Sequence, residues 1–384
     1  MSKPYEFKLS SRLDGVGEYY FSRKLREIDQ LRAEGRKIIS LGIGSPDMPP
    51  HPSVTERLAT ESAKVTTHGY QSYKGAKELR AAFSEWYSRM FGVVLDPDTE
   101  IMPLIGSKEG IMHICMTYLN AGDKVLVPNP GYPTYTSAVT LAGGVATPYS
   151  LEEKSGYLPE LESIETQGVK MMIINYPHMP TGRVASLEAL ERIVDFCRKN
   201  KILLLNDNPY GFIRNSEPVS LLQVEGAKDL AMELNSLSKS HNMAGWRVGM
   251  LAASEQRIAE VLRFKSNMDS GMFLPLQLAA ATALGLGSEW YENLNSIYYR
   301  REKIGMDIFD ALGIEYAESQ AGLFLWGRLP EGKNCYEFCD WLLYEKGVFL
   351  TPGAIFGSNG DKYMRLSLCA PEEVLLSVLK IVKQ

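Results

Sequence analysis

Between about residues 100 and 255, short apolar runs alternate with amphipathic stretches. The clearest runs are residues 124–127, 171–174 and 202–205. Their apolar residues are consecutive rather than alternating, as in strands that are buried on both faces. Residues 187–197 lie between the last two runs, carry apolar side chains at helical spacing, and follow Ser186, which can cap a helix. Strand, helix and strand in this order predict a βαβ unit and therefore a parallel sheet covered by helices.

The pattern changes toward the C-terminus. Residues 255–312 have a mostly helical pattern, and one long helix is predicted over residues 289–312. After Gly313, apolar runs typical of strands alternate with shorter helical patterns. The predicted strands are residues 323–326, 348–350 and 364–368, and the predicted helices are residues 335–346 and 371–383. This part of the chain therefore predicts a second, smaller α+β domain.

The length and charge of the chain narrow the classes of function. At 384 residues the chain is long for one hydrophobic core and fits two domains. A formal net charge of −5 argues against nucleic acid as a partner, since binding to a phosphate backbone needs clustered Lys and Arg. The sequence has neither an apolar run of the roughly 20 residues that a membrane helix needs nor an N-terminal apolar signal core. The five scattered cysteines are typical of reduced, buried thiols, so we expect a cytoplasmic protein without a membrane partner.

The segment from residue 236 to residue 247 carries the most specific chemistry. It places Lys239 among serines, with Arg247 eight positions downstream. A lysine with a neutral amine can bond covalently to a carbonyl, and hydroxyls with an arginine suit a bound phosphate. A reactive amine beside a phosphate site indicates an aldehyde cofactor that carries a phosphate, and pyridoxal 5′-phosphate is the candidate. The alternative for this segment alone is a surface lysine in a serine-rich loop.

Two further segments supply groups that such a cofactor needs. Ser107 lies in a Gly-Ser turn at the start of a predicted helix, where backbone N–H groups and the helix dipole favour a phosphate. Asp207 follows the predicted strand over residues 202–205, at an end of a parallel sheet where ligand sites form. Its carboxylate can keep the pyridine nitrogen of the cofactor protonated, and Tyr210 can hydrogen-bond the phenolic oxygen of the ring. An ordinary helix start and an Asn-Asp-Pro turn are the alternatives.

Tyr132 and Arg365 are candidates for holding the ring and the substrate. Tyr132 has prolines on either side of it and can stack on a planar ring, although a buried core tyrosine is the commoner use. Arg365 lies inside the apolar run over residues 364–368, and an arginine at an inward position of a strand needs an anion. A substrate carboxylate meets this need, and a structural salt bridge is the alternative.

Taken in order along nearly the whole chain, these motifs resemble those of the fold-type I, class I/II aminotransferases that use pyridoxal phosphate. Residues 41–47 are similar to the family's N-terminal glycine segment, and residues 70–80 to its Tyr-x4-Gly-x3-Leu-Arg stretch. Residues 236–247 are similar to its Ser-x-Ser-Lys-x7-Arg segment. Residues 266–277 resemble the branch related to LL-diaminopimelate aminotransferases.

The resemblance implies a fold and a division into domains. The implied fold is α/β, with a large domain built on a mostly parallel seven-stranded sheet and a smaller α+β domain. We assign residues 50–285 to the large, cofactor-binding domain. Residues 1–49 and 286–384 are assigned to the small domain, which would combine an N-terminal segment with the C-terminal α+β part.

The resemblance also implies a role for each candidate residue. Lys239 is expected to hold the cofactor as a Schiff base and then to act as the base that moves the α-proton of an amino acid. The residues expected to contact the cofactor are Ser107, Lys108, Tyr132, Asp207, Tyr210, Ser236, Ser238 and Arg247. Gly44 and Arg365 are expected to bind the substrate carboxylate. Tyr70 is expected to reach the cofactor phosphate of the neighbouring subunit, which implies a homodimer.

One position departs from the family pattern. The family has an asparagine before Pro-Thr-Gly, whereas this chain has Met179. That asparagine bonds the ring oxygen and the carboxylate-binding arginine, and a thioether is only a weak acceptor. We therefore expect Tyr210 to hold the ring oxygen nearly alone and Arg365 to lose a positioning partner. The hypothesis is that Met179→Asn shifts the titration of the bound cofactor's absorbance and tightens carboxylate binding.

The expected reaction is amino-group transfer between an L-amino acid and a 2-oxo acid. The alternatives are a pyridoxal-phosphate-dependent carbon–sulfur β-lyase or another fold-type I enzyme, because the pocket chooses which bond is broken. A non-catalytic pyridoxal-phosphate-binding regulatory module is the alternative of another class. The sequence does not predict the amino donor. Arg23, Arg26 and Arg32 are expected to be exposed helical charges, and Phe324 and Tyr20 to line a pocket or fill the core.

Overall fold

The computed structural model describes residues 7–384. Its strands are β1 (Ile39–Ser40), β2 (Ile101–Leu104), β3 (Lys124–Asn129), β4 (Val145–Ser150), β5 (Val169–Ile174), β6 (Leu203–Asp207), β7 (Ala231–Ser236), β8 (Gly249–Ala253), β9 (Glu315–Tyr316), β10 (Phe324–Arg328), β11 (Val348–Phe349), β12 (Thr351–Pro352) and β13 (Tyr363–Ser367). Its α-helices are α1 (Tyr20–Ala33), α2 (Pro52–Ser62), α3 (Lys77–Phe91), α4 (Ser107–Tyr118), α5 (Pro133–Leu141), α6 (Leu187–Asn200), α7 (Leu237–Ser240), α8 (Glu255–Lys265), α9 (Leu274–Leu284), α10 (Ser288–Ala311), α11 (Cys335–Lys346) and α12 (Glu372–Val382).

Seven strands form the central sheet, in the order β2-β8-β7-β6-β5-β3-β4. Only β8 is antiparallel to its neighbours, so the prediction of a mostly parallel seven-stranded sheet is confirmed. Because β6 and β7 are parallel and adjacent, their carboxyl ends meet at one edge of the sheet, where Asp207 is paired with Leu234. Ligand sites of open α/β sheets form at this edge.

Helices cover both faces of this sheet, as the consecutive apolar residues of its strands require. Successive residues of β5 point to opposite faces. Met171 packs in one core with α4, whereas its neighbour Met172 packs in a second core with α6. Both side chains are fully buried. Helix α6 begins directly after Ser186, as predicted. The Ser186 side chain caps the helix by accepting a hydrogen bond from the backbone N–H of Ala189.

One strand beside the site ends later in the structure than the sequence predicts. The run expected over residues 202–205 is β6 (Leu203–Asp207), so Asp207 is the last residue of the strand and not part of the turn after it. A strand residue has a fixed direction, since successive side chains point to opposite faces. The predicted long helix and the helix over residues 335–346 are confirmed as α10 and α11.

A second, four-stranded antiparallel sheet has the order β12-β13-β10-β9. The N-terminal segment joins this part of the molecule through β1, which pairs in parallel with β11. Phe21 and Ile28 of α1 belong to the same core as the residues of β10 and β13. These contacts are compatible with the small domain assigned to residues 1–49 and 286–384, and the domain boundaries stay a prediction.

Two further features follow from the side chains and helices of residues 7–384. All five cysteines are free thiols, and only Cys369 is partly exposed. Within this part of the chain, no helix has both the length and the apolar character that crossing a bilayer requires.

Candidate active site

A cavity of about 420 Å³ lies at the carboxyl ends of β6 and β7, between the central sheet and the N-terminal and C-terminal segments. Eleven of the twelve predicted site residues line it: Gly44, Ser107, Lys108, Tyr132, Asp207, Tyr210, Ser236, Ser238, Lys239, Arg247 and Arg365. These residues come from six separate stretches of sequence, so their meeting in one cavity is a property of the fold. Their individual roles stay predictions.

Lys239 lies on α7, a single helical turn that directly follows β7. Ser236 starts this turn, and its hydroxyl accepts a hydrogen bond from the backbone N–H of Ser238 at 3.1 Å. The Lys239 side chain is partly buried, and its Nζ donates a hydrogen bond to the carbonyl oxygen of Gly44. Burial lowers the pKa of the Lys239 amine, and the charges of Arg365 and Arg247 lower it further, against the opposing effect of Cys369. An amine with a lowered pKa is a better nucleophile and base at neutral pH.

Three features at one end of the cavity suit a phosphate. Helix α4 begins at Ser107, so the first backbone N–H groups of this twelve-residue helix are free to bind an anion. Gly106 precedes it with a φ of +80°, and a Cβ at this position would collide with the Arg247 guanidinium. Arg247 donates to the hydroxyl of Ser238 at 3.2 Å. The glycine therefore brings the helix N-terminus, a hydroxyl and a guanidinium together, and this set of donors has no ion-pair partner among residues 7–384.

Asp207 supplies a negative charge to the cavity. Its Oδ2 accepts a hydrogen bond from the Tyr135 hydroxyl at 2.9 Å. Its Oδ1 is buried and has no hydrogen-bond partner in the described part of the chain. Burial raises the pKa of Asp207 to about 6, and the Tyr135 hydrogen bond and the charge of Lys239 oppose this rise. A buried carboxylate oxygen without a donor is unfavourable unless a ligand brings one, and a protonated ring nitrogen is such a donor.

Two residues that position Asp207 were not identified from the sequence. The first is Tyr135, whose spacing from Tyr132 places both rings on the same side of α5, and the rings meet edge to face at 5.6 Å. The second is Asn175, which donates to the backbone carbonyl of Asp207 and accepts from the backbone N–H of Met179 at 2.8 Å. Tyr135 carried a detectable signal, since it follows Tyr132 by three residues in the same proline-containing segment. Asn175 carried none, because its partners are backbone groups.

Tyr210 lies three residues beyond Asp207 and is buried. Burial raises the pKa of its hydroxyl, so Tyr210 is a neutral hydrogen-bond donor at physiological pH. Its ring packs edge to face on Phe324 at 6.0 Å between centroids. Phe324 also lines the cavity, whereas Tyr20 does not. Of the two aromatic residues considered for the pocket, Phe324 is therefore the one that contributes to it.

Arg365 is a buried cation without an acidic partner among residues 7–384. Its Nη2 donates to the carbonyl oxygen of Gly42 at 2.7 Å, and its Nη1 lies 3.2 Å from the sulfur of Met179. The Nε is buried and unpartnered within the described chain. Burial lowers the pKa of Arg365 to about 10, so the guanidinium is still charged at neutral pH. The salt-bridge alternative therefore finds no acidic partner within residues 7–384, and a guanidinium in this state suits a carboxylate anion.

Tyr70 is the one predicted site residue outside the cavity. Its side chain is 94% exposed. Arg23, Arg26 and Arg32 are exposed on α1, as expected, and Arg26 forms an ion pair with Glu18.

The chain is similar to known proteins over nearly its whole length. The model of the aminotransferase class I and II family matches residues 36–381. The LL-diaminopimelate aminotransferase of Natranaerobius thermophilus is 39% identical, over 96% of this chain and 97% of the relative. The LL-diaminopimelate aminotransferase of Aquifex aeolicus is also 39% identical, over 98% and 99%. A substrate-bound structure of BacF from Bacillus subtilis superposes with a TM-score of 0.94 at 33% identity and covers 98% of both chains.

These matches confirm the resemblance to fold-type I aminotransferases, including the branch related to LL-diaminopimelate aminotransferases, and they favour neither the β-lyase nor the regulatory module. Members of the matched family depend on pyridoxal phosphate. The chain is therefore an enzyme that transfers amino groups, and it belongs to the aminotransferase class I and II family.

Proposed function

We propose that Lys239 is the catalytic residue of this aminotransferase. We further propose that the enzyme moves an amino group between an L-amino acid and a 2-oxo acid. One observation carries the proposal. The partly buried Lys239 amine, with its lowered pKa, shares one cavity with an Asp207 carboxylate oxygen that has no hydrogen-bond partner and with the Arg365 guanidinium, which has no acidic partner within residues 7–384. Pyridoxal phosphate, when bound, supplies an aldehyde for the lysine and a ring that accepts electrons from the substrate Cα.

The unpartnered groups fit this cofactor. The Asp207 Oδ1 would accept from its ring nitrogen, and the Tyr210 hydroxyl would donate to its ring oxygen. The N-terminus of α4 at Ser107, with Lys108, Ser236, Ser238 and Arg247, would hold its phosphate, and Tyr132 would fix the ring plane. Each contact pairs a donor with an acceptor of opposite charge or dipole.

At the other end of the cavity, Arg365 binds the substrate carboxylate through its free N–H groups, and the backbone of Gly44 lies beside the Lys239 amine. With the carboxylate held there, the Lys239 Nζ accepts the proton from the substrate Cα and later returns a proton. Arg365 fixes the orientation in which that Cα–H bond faces the lysine. Met179 adds only a weak sulfur contact to Arg365, so the Gly42 carbonyl is its main positioning partner.

We further infer a homodimer in which Tyr70 enters the site of the partner subunit. The inference is supported by the 94% exposure of Tyr70 and by its position outside its own cavity. An exposed side chain outside its own cavity can reach a neighbouring copy, and in a twofold-related dimer each Tyr70 would enter the site of the other subunit. The free thiols support a cytoplasmic location.

Two variants test these roles together. Lys239→Ala should lose the visible absorption of the bound cofactor and nearly all turnover, whereas Lys199→Ala, an exposed helical lysine, should keep both. Tyr70→Ala should weaken phosphate binding. If Tyr70 acts across the interface, mixing Lys239→Ala with Tyr70→Ala at a cofactor concentration too low for either to turn over should restore up to about a quarter of wild-type turnover, because about half of the dimers are mixed and each mixed dimer holds one intact site. Turnover retained by Lys239→Ala would overturn the assignment, and no recovery on mixing would overturn the role of Tyr70 in the partner site.

A further inference from the structure

We propose that the amino donor of this enzyme carries a neutral, apolar side chain, either long aliphatic or aromatic, and no second charge. The inference rests on the proposed function, in which Arg365 binds the α-carboxylate. It concerns the part of the cavity that lies beyond Lys239, on the side of Arg365. The walls of this part come from the N-terminal half of α1, the glycine segment around Gly44, and two phenylalanines of the C-terminal region.

The walls of this region are mostly apolar. The apolar side chains are Phe21, Leu25, Ile43, Phe324 and Phe356, and the hydroxyl-bearing residues Tyr19 and Ser22 also line the cavity. Across the described lining of the whole cavity, the only carboxylate is Asp207, which lies beside Tyr135 at the opposite end. A donor with an ammonium group on its side chain, such as lysine, therefore meets no anion here. Burying an unpaired ammonium is strongly unfavourable.

A second carboxylate is equally unmatched, because the cations of the lining are already committed. The Arg365 guanidinium lies 3.8 Å from the ring centroid of Phe324 and 4.6 Å from that of Phe356, so it is held between two phenyl faces. Its free edge accommodates one carboxylate, and the substrate α-carboxylate takes that place. The described lining holds no second arginine near this edge.

The two remaining cations belong to the phosphate end. Arg247 is hydrogen-bonded to Ser238, and Lys108 lies on the first turn of α4 next to Ser107. The Lys108 ammonium is 5.1 Å from the centroid of the Tyr19 ring, so it is held against an aromatic face at the edge of this region. Charged side chains therefore lose their hydration in this region without gaining a partner, whereas an apolar side chain gains from burial against the phenylalanine and aliphatic walls.

The inference separates this chain from the similar enzymes named LL-diaminopimelate aminotransferases. Their named substrate carries both an ammonium and a carboxylate at its far end. Neither group has a partner in the described lining beyond Lys239. We therefore expect LL-diaminopimelate to be a poor donor for this enzyme.

The test is a set of donor half-reactions with the wild-type holoenzyme. Each donor is mixed with excess enzyme, and the rate at which the visible absorption of the bound cofactor changes gives kcat/KM without any choice of acceptor. The donors are L-leucine, L-methionine, L-phenylalanine, L-aspartate, L-glutamate, L-lysine and LL-diaminopimelate. We expect the three apolar donors to exceed every charged donor by about 100-fold or more, as for sites that leave a buried polar group unpaired.

The outcomes distinguish the inference from the function on which it rests. If LL-diaminopimelate, aspartate or glutamate matches or exceeds the apolar donors, the inference is overturned while the aminotransferase assignment stands. If no amino acid changes the absorption of the loaded enzyme, the proposed roles of Lys239 and Arg365 fail and the inference falls with them.

A charge placed in the apolar wall provides an independent check. Leu25→Arg adds a cation to α1 at a lining position, and Gln30→Arg adds the same cation to the same helix at an exposed position outside the cavity. Leu25→Arg should lower kcat/KM for leucine at least tenfold and raise it for glutamate, whereas Gln30→Arg should change neither. Equal effects of the two variants would overturn the assignment of Leu25 to the side-chain wall. If Leu25→Arg fails to fold, the wild-type donor panel still decides the inference.

Discussion

Asp207→Asn should make the cofactor-free protein more stable while it weakens cofactor binding. The carboxyl of Asp207 is buried, and only one of its two oxygens has a hydrogen-bond partner among residues 7–384. Burial raises its pKa from 3.8 to about 6. The folded chain therefore binds this proton more tightly than the unfolded chain, and ionised Asp207 destabilises the fold. An asparagine has the same shape, keeps an oxygen for the Tyr135 hydroxyl, and carries no charge.

The size of the effect follows from the two pKa values. Stability falls as pH rises from about 3.8 to about 6, and the penalty is fully present above pH 6. The gap corresponds to about 3 kcal/mol at pH 8 and about 1 kcal/mol at pH 4.5, at about 1.4 kcal/mol per pKa unit. With an unfolding entropy of about 2.1 cal/mol/K per residue, a chain of 384 residues should gain about 4 °C in Tm at pH 8 and about 1 °C at pH 4.5.

Differential scanning calorimetry of the cofactor-free proteins at matched concentration measures this difference. Asp195→Asn is the control, since the Asp195 side chain is 74% exposed and lies on the outer face of α6. It should leave the Tm nearly unchanged at both pH values. In parallel, fluorescence titration with pyridoxal phosphate should show at least tenfold weaker binding to Asp207→Asn, because an amide cannot hold the ring nitrogen in its cationic form.

The two measurements refute different parts of the reasoning. If the Tm gain is absent at pH 8, or is no larger there than at pH 4.5, ionised Asp207 does not destabilise the fold. If the Tm gain is as expected but the affinity for pyridoxal phosphate is undiminished, Asp207 destabilises the fold without holding the ring nitrogen.

Two further changes probe the partners of Asp207 and Arg365. Tyr135→Phe removes the hydrogen bond that lowers the pKa of Asp207, so the pKa of Asp207 should rise by about one unit or more. ¹³C NMR of the carboxyl in the cofactor-free protein measures this pKa. An unchanged titration would contradict the role of Tyr135. Met179→Asn gives the Arg365 Nη1 an oxygen acceptor in place of sulfur, so the Michaelis constant for the donor should fall about threefold to tenfold and the titration of the cofactor's absorbance should shift. Met179→Leu offers no acceptor and should not tighten binding; equal behaviour of the two variants would exclude a hydrogen-bond effect.

The central sheet and the meeting of Lys239 with Arg247 in one cavity were predictable because their signals are local. Consecutive apolar residues identify buried strands, and Ser186 identifies the start of α6 from its own side chain. Lys239 and Arg247 lie within one segment, so their relation is visible in the sequence alone.

The partners of Asp207 and Arg365 were not predictable in the same way, because they depend on contacts across the fold. Tyr135 reaches Asp207 from 72 positions away, and the phenylalanines around Arg365 come from different strands and turns. The wall from α1 is a further example, since Phe21 and Leu25 are ordinary helix residues until β1 pairs with β11 and brings the N-terminal segment against the C-terminal part.

Three sites in the cavity have no ion-pair partner within residues 7–384, and each indicates a group that a ligand must supply. Asp207 requires a cationic donor, the N-terminus of α4 with Arg247 requires a strong anion, and Arg365 requires a planar anion. The walls between them require flat and apolar surfaces. The buried charges of Asp207 and Arg365 are unfavourable without a charged partner, and a ligand that binds only the folded state adds stability that grows with its affinity. In the proposed function, a cofactor alone would satisfy the first two groups and leave Arg365 for the substrate carboxylate. On that proposal, the apolar side chain of a neutral donor is what the remaining wall can accept without creating a new unpaired charge.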